Sequence, residues 1–552
     1  MPEKNRGADL FVRCLEAANV RYVFGIPGEE NLDLVDALRE SPIRFVTTRH
    51  EQAAAFMADV YGRLTGEVGV CTATLGPGAT NLITGIADAY LDRAPLLAIA
   101  GQGSTHRLHK ESHQIIDLAA LFRHVTKYSA RINEAGAIAE IVADSLAHAC
   151  AHKPGPSFIE LPENIAGAVV DGQEPIRQSA AALPVAPQTS IATACKAIQK
   201  AGKPLVLVGN GAVRAGAAAE VEALIDLLGA PFTTTFMAKG IVSDEHPLRL
   251  ATTGLSENEH TSCGFDQADL IVAIGYDLVE YDPGQWHRDP QQPILHIDVL
   301  PAEIDQDYAP AFSVVGSIVD SLARLVTALE ADAYKPPEDW AESLRETIRQ
   351  YQSKLTTSDA FPIKPQRLLH DLRNMMAADD ILISDVGAHK VWIAHQWQTL
   401  SPNSCIISNG FAAMGIGLPG AIAAKLAFPE RTVITATGDA GFMMNAQELE
   451  TALRLDLAIV VLVWNDGGYG LIEWHQDRRF GYSNDVAFGN PDFVTFAESF
   501  GARGFRVDSA DNLESVLEQA AACGTVAVVD CPVDYAENMH LTERLGRLTC
   551  LN

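Results

Sequence analysis

Three stretches of the chain share one pattern: a short apolar run ends at a glycine and gives way to apolar residues three and four positions apart. They are "VGVCTATLGPGATNLITGIADAY", "PLVLVGNGAVRAGAAAEVEALIDLLGAP" and "GDAGFMMNAQELETALRLDLAIVVLVWNDGGYG". The third is the clearest. Residues 432–438 read as a strand; Ala446, Leu449, Ala452 and Leu453 recur at helical spacing; and 457–464 is an unbroken apolar run. An apolar second strand is buried on both faces, so this βαβ unit belongs to a parallel sheet. The same alternation in all three blocks predicts an α/β protein made of three doubly wound parallel-sheet domains. Their expected limits are 1–167, 190–333 and 365–552. Between them, 166–189 is aperiodic and rich in Pro, Ala and polar residues, and 334–365 runs from "KPPEDW" to "FPIKP", so both read as linkers.

Two aspartates stand just beyond the strand ends of the third block, Asp439 after the first strand and Asp466 after the second. Taken singly, each reads as a capping or Asp-Gly turn residue. Taken together, at the edge of a parallel sheet where ligands bind, they suit a hard cation such as Mg²⁺ shared with a phosphate. Composition narrows the partners. A formal net charge of −29 argues against nucleic acid and anionic membranes. The nine cysteines lack CxxC or metal-ligand spacing and read as reduced thiols, and no signal or membrane-spanning stretch is evident, so a cytoplasmic location is expected.

The spacing of these motifs resembles that of thiamine-diphosphate-dependent enzymes. In that family a GDG motif is followed, past a helix and a strand, by an Asn-Asn or related pair; here "GDAG" and "NDGG" place Asp439 and Asp466 27 residues apart. The resemblance implies Asp439, Asp466 and the carbonyl of Gly468 as Mg²⁺ ligands, with Gly438, Ala440, Gly441 and Tyr469 around the cofactor diphosphate. Ala440 replaces the family's second glycine and would be strained if its φ were positive. "TTRHEQAAAFMADVYGRLTG" and "TLGPGATN" resemble the pyrimidine-binding domain, which assigns Glu51 to the aminopyrimidine nitrogen. A lone glutamate there would otherwise be a routine helix-dipole partner. Pro27, His389 and Met414 also fall at cofactor-binding positions, Met414 as the apolar wedge that bends the cofactor. Without the resemblance, His389 and Met414 would read as packing residues. The family also implies that Glu51 of one subunit meets Asp439 of another, in a homodimer or homotetramer.

Within the family, "IGYDLVEYDPGQW" and "LHIDVLPAEID" resemble acetolactate synthases of the catabolic, flavin-independent type, so FAD is possible but not favoured. The expected reaction decarboxylates pyruvate and joins the two-carbon unit to a second 2-oxo acid, giving 2-acetolactate, with Gln114 of "SHQIID" at an active-site position and Lys127 in the neighbouring "TKY". Two residues point elsewhere. Glu29 stands where pyruvate decarboxylases have a catalytic aspartate, and His475 stands nine residues past Asp466, where relatives hold the second substrate. A decarboxylase or lyase for a different 2-oxo acid is therefore the alternative, and a catalytically silent scaffold is the alternative of another class.

Overall fold

The computed structural model describes residues 5–177, 182–254, 259 and 261–541 of the 552. Residues 1–4, 178–181 and 542–552, within the expected first block, first linker and third block, lie outside the described residues. Three six-stranded sheets, all parallel, follow one another along the chain. Strands run from Tyr22–Gly25 to Pro156–Pro162 in the first sheet, from Pro204–Val208 to Phe312–Val315 in the second, and from Ile381–Ser384 to Ala527–Pro532 in the third. Numbered within each sheet, the first and third share the order 2-1-3-4-6-5, and the central one has the order 3-2-1-4-5-6. The α/β class and the three parallel sheets agree with the sequence pattern.

Two local expectations change. The helix of the opening βαβ unit is broken into Asp439–Asn445 and Glu448–Arg454 before the strand Val460–Asn465. The second linker contains a helix, Glu342–Gln352, whose Leu344 and Ile348 are one turn apart and pack with Leu250, Phe265 and Ala273 of the central block. Leu344 and Ile348 are flanked by charges, which hid the short apolar stripe among polar residues. Among the described residues seven cysteines are free and Cys263 is disulfide-bonded, contrary to the expectation that every thiol is reduced.

The first and third blocks share one apolar core. Helix Glu51–Thr65 follows strand 2 of the first sheet, helix Gly417–Ala427 follows strand 2 of the third, and the two pack against each other. Small residues make this possible: Ala53, Ala54, Ala55 and Ala58 are fully buried, and a Cβ on Gly420 would lie 3.1 Å from Val60. Polar ties reinforce the contact. Arg63, paired with Asp92 on its own block, donates across to the Ile407 carbonyl at 2.8 Å, and Asp88 accepts from the Ser408 hydroxyl at 3.0 Å and the Ala413 amide at 3.1 Å. Burial raises the carboxyls of Asp59 and Asp88.

Glu448 joins the same interface, accepting the Arg49 and His50 amides at 3.0 Å each. Burial pushes its carboxyl up to about 7, from an ordinary value of 4.5. A raised carboxyl contributes stability that is complete below its unfolded value and lost as the pH climbs through the folded one. The protein should therefore melt higher at pH 5 than at pH 8. Glu448→Gln should remove part of that slope, worth on the order of 3 kcal/mol over the whole window, as read from paired thermal melts.

Candidate active site at two sheet edges

The order in which strands are added to the third sheet reverses between its parallel strands Ile381–Ser384 and Val433–Gly438, and beyond the carboxyl ends of these strands and of Val460–Asn465 lies a cavity of about 190 Å³. Nine of the expected residues line it: His389, Met414, Gly438, Asp439, Ala440, Gly441, Asp466, Gly468 and Tyr469. Gly387 and Tyr535 line it too.

The two aspartates are close enough to perturb each other. Asp439 is buried, and its Oδ2 accepts the Gly467 amide at 2.8 Å and the Asn490 side-chain amide at 2.7 Å. Burial, opposed by these hydrogen bonds, raises its carboxyl. Asp466 is pushed up to about 7, first by burial and then by the charge of Asp439. Its carboxylate rests against Gly470, where a Cβ would approach its Oδ2 to 2.3 Å. Among the described residues, no three of His, Cys, Asp and Glu are placed to hold a metal ion by themselves. The pair would thus share a cation with backbone and ligand oxygens, as Mg²⁺ commonly does.

The rest of the lining is neutral. His389 is buried, with Nε2 unpaired, and burial pulls its imidazole down to about 3, so it is uncharged. It occupies the space beside Gly387 and Gly438: a Cβ on Gly387, whose φ is +159°, would come within 2.9 Å of the ring. Ala440 is not strained, because it sits in the first turn of helix Asp439–Asn445 and not in a left-handed conformation. Met414 lies between two anchored amides, Ala413 on Asp88 and Gly415 on Asp385.

The first sheet presents a second edge of equivalent topology. Glu51 opens its helix after the N-cap His50, and its Oε2 accepts the Asn81 side-chain amide at 2.9 Å. Its other oxygen lies 3.4 Å from where a Cβ on Gly78 would be, so the glycine leaves the carboxylate open. Pro27 and Glu29 are exposed in the loop after the first strand. It is Glu30, passed over in the sequence, that is tied down, by the Thr74 hydroxyl at 2.6 Å. Gln114 adopts φ +58° and packs on Gly76, which a Cβ would crowd to 2.8 Å. Lys127 precedes strand Tyr128–Arg131 and lies at the opposite edge, its amide bonded to the Pro156 carbonyl.

The structure does not bring the two edges together within one chain. Every lining residue of the cavity falls between 386 and 535, and none belongs to the first block. His475 is also outside the lining, exposed on helix Gly470–Phe480 and stacked on Trp474 with 5.5 Å between ring centres. Asn490 was missed because its loop returns to the site only through the Gly468–Ala487 bridge, which leaves no local signal. A larger cavity, about 450 Å³, opens between the first and central blocks beside Gly211, Arg214 and Asp298, and holds none of the expected residues.

Comparison with known proteins places this geometry. Residues 5–121 match the thiamine pyrophosphate enzyme N-terminal TPP binding domain, 191–325 the central domain and 385–531 the C-terminal TPP binding domain. The chain is 36% identical to acetolactate synthase of Bacillus subtilis over 98% of its own length and 95% of the relative's. It is 36% identical to the catabolic acetolactate synthase of Raoultella terrigena over 98% and 97%. It is 35% identical to a probable acetolactate synthase large subunit of Methanocaldococcus jannaschii over 99% and 94%. With its three domains in the family's order and an acidic pair at the sheet edge of the third, the chain belongs to the thiamine pyrophosphate enzymes, in the group that contains the acetolactate synthases.

Proposed function

We propose that this protein decarboxylates pyruvate with thiamine diphosphate and Mg²⁺ and joins the two-carbon unit to a second pyruvate, giving 2-acetolactate. The observation that carries the reading is the pair Asp439 and Asp466 at adjacent strand ends of a glycine-opened cavity, in a chain alignable with acetolactate synthases over nearly all its length.

The residues suit the cofactor. A divalent cation between the aspartates would relieve the repulsion that helps hold Asp466 up at about 7. Asp439, Asp466 and the Gly468 carbonyl would hold it, with Gly438, Ala440, Gly441 and Tyr469 bordering the diphosphate and His389 and Met414 the body of the cofactor. Bound thiamine diphosphate supplies an electron sink for the bond that breaks as CO₂ leaves. Glu51, held through Oε2 by Asn81, would keep its other oxygen for a proton shared with the cofactor's pyrimidine ring. Leu471 and Ile472 supply the lining's apolar side and would help keep water from the reacting carbon once a second subunit covers it.

This arrangement needs two subunits. The cavity lies wholly within the third block and Glu51 in the first, so a homodimer, alone or paired into a tetramer, would bring Glu51 of one copy to the cavity of another. No helix among the described residues is long and apolar enough to cross a membrane, and a cytoplasmic location is part of the proposal.

Incubation with pyruvate, Mg²⁺ and thiamine diphosphate, with and without FAD, should give acetolactate by NMR at equal rates. Three glutamates at the first edge, Glu29, Glu30 and Glu51, favour proton delivery and support the alternative reading. Acetaldehyde as sole product, or turnover only of another 2-oxo acid, would establish that decarboxylase or lyase. Cofactor binding with no turnover would establish the silent scaffold.

A further inference from the structure

The proposed reaction joins two carboxylates, and the described cavity offers neither of them a cation. Its charged lining residues are Asp439 and Asp466, its histidine is neutral, and no lysine or arginine among the described residues lines it. The first edge adds Glu29, Glu30 and Glu51. An anionic acceptor approaching these groups would be repelled.

One loop at that edge carries the opposite charge. Residues 103–114, "GSTHRLHKESHQ", follow the fourth strand of the first sheet, the position taken in the third sheet by the Asp466 loop. His106, Arg107, His109, Lys110 and His113 are all exposed, with Glu111 the loop's one acidic residue, in a chain of net charge −29. Both ends of the loop are fixed. At one end the Thr105 amide donates to Asn164 Oδ1 at 2.9 Å and the Ser104 amide to Glu163 Oε1 at 3.0 Å. At the other, Gln114 packs on Gly76 and the Ile116 carbonyl accepts from Gln102 at 3.0 Å. Gly76 lies two residues from Thr74, which holds Glu30, and two from Gly78, which faces Glu51. The loop therefore stands on the same backbone, 74–78, that lies against Glu30 and Glu51. Among the described residues the Arg107 guanidinium bonds only the Ser112 hydroxyl, at 3.3 Å, and its backbone bonds Ser104 and Lys110 within the loop.

We propose that Arg107 and Lys110 recognise the carboxylate of the accepting 2-oxo acid and so select an anionic acceptor over a neutral aldehyde. This rests on the acetolactate-forming reading. The test is a competition between two acceptors. With pyruvate as donor and acetaldehyde added, addition to pyruvate yields acetolactate and addition to acetaldehyde yields acetoin; each forms one C–C bond, takes up one proton and releases one CO₂.

In the double variant Arg107→Ala, Lys110→Ala the acetolactate-to-acetoin ratio should fall by up to about fivefold, the size an exposed charge pair supplies. Acetoin formation and cofactor affinity should be unchanged. The wild-type ratio should also fall with added salt, and the variant's should not. Arg107→Lys with Lys110→Arg should restore the wild-type ratio. A wild-type enzyme that makes acetolactate at a ratio the double variant leaves unchanged, or a variant in which both products fall together, would overturn this assignment alone. A wild-type enzyme that makes no acetolactate would overturn the assignment together with the reading beneath it.

Discussion

Glu51→Gln should lower the rate of product formation by roughly 10²–10⁴-fold, the range associated with a positioned acid–base group, and leave cofactor affinity nearly intact. The glutamine keeps the size of the side chain and can still accept from Asn81, which holds Glu51 at 2.9 Å. It cannot hold and release a proton. Rates from NMR product assays, set beside thiamine diphosphate affinity from titration, separate the two effects. If both change together, Glu51 anchors the cofactor or the fold and has no part in proton management.

Asp439→Asn should act on the other end of the cofactor, abolishing its retention. The substitution removes half the negative charge available to a cation and sets a side-chain amide beside the Gly467 and Asn490 donors that Oδ2 now accepts. With the asparagine oxygen in the place of Oδ2 both donors stay matched, and the Ala440 amide, now 2.8 Å from Oδ1, loses its acceptor at about 1–3 kcal/mol. Asp466, freed of its neighbour's charge, should return toward the ordinary carboxylate range. Thermal melts with and without Mg²⁺ and thiamine diphosphate test this. The wild type should be stabilised by about 2.7 kcal/mol at a hundredfold excess over Kd; the variant should show no ligand-dependent shift and, without ligand, a loss no larger than the one unmatched donor costs. A variant that keeps the full shift would remove Asp439 from the metal site.

Much of this arrangement is legible in the sequence because it rests on short-range chemistry. Glycines before and after Asp439, the apolar run ending at Trp464 and the separation of Asp439 from Asp466 all lie within one supersecondary unit, whose geometry fixes where its loops emerge. What the sequence hides depends on distant segments. Asn490 reaches Asp439 across 51 residues, and Glu30 rather than Glu29 turns inward because Thr74 lies on the adjacent strand's loop. His475 follows the buried Trp474 on its helix and points out to solvent, which residue counting from Asp466 does not reveal. The helix Glu342–Gln352 was obscured because its burial against the central block involves only one stripe.

The repeated strand order of the first and third sheets has a historical consequence. Equivalent helices, Glu51–Thr65 and Gly417–Ala427, meet face to face across one shared core, as the two copies of a self-associating ancestor would. Fusion of such copies into one chain would free each to specialise, and the two edges do differ: one presents Glu51, the other Asp439 and Asp466. The present molecule then reads as an old symmetric partnership made covalent, with its chemistry divided between the heirs.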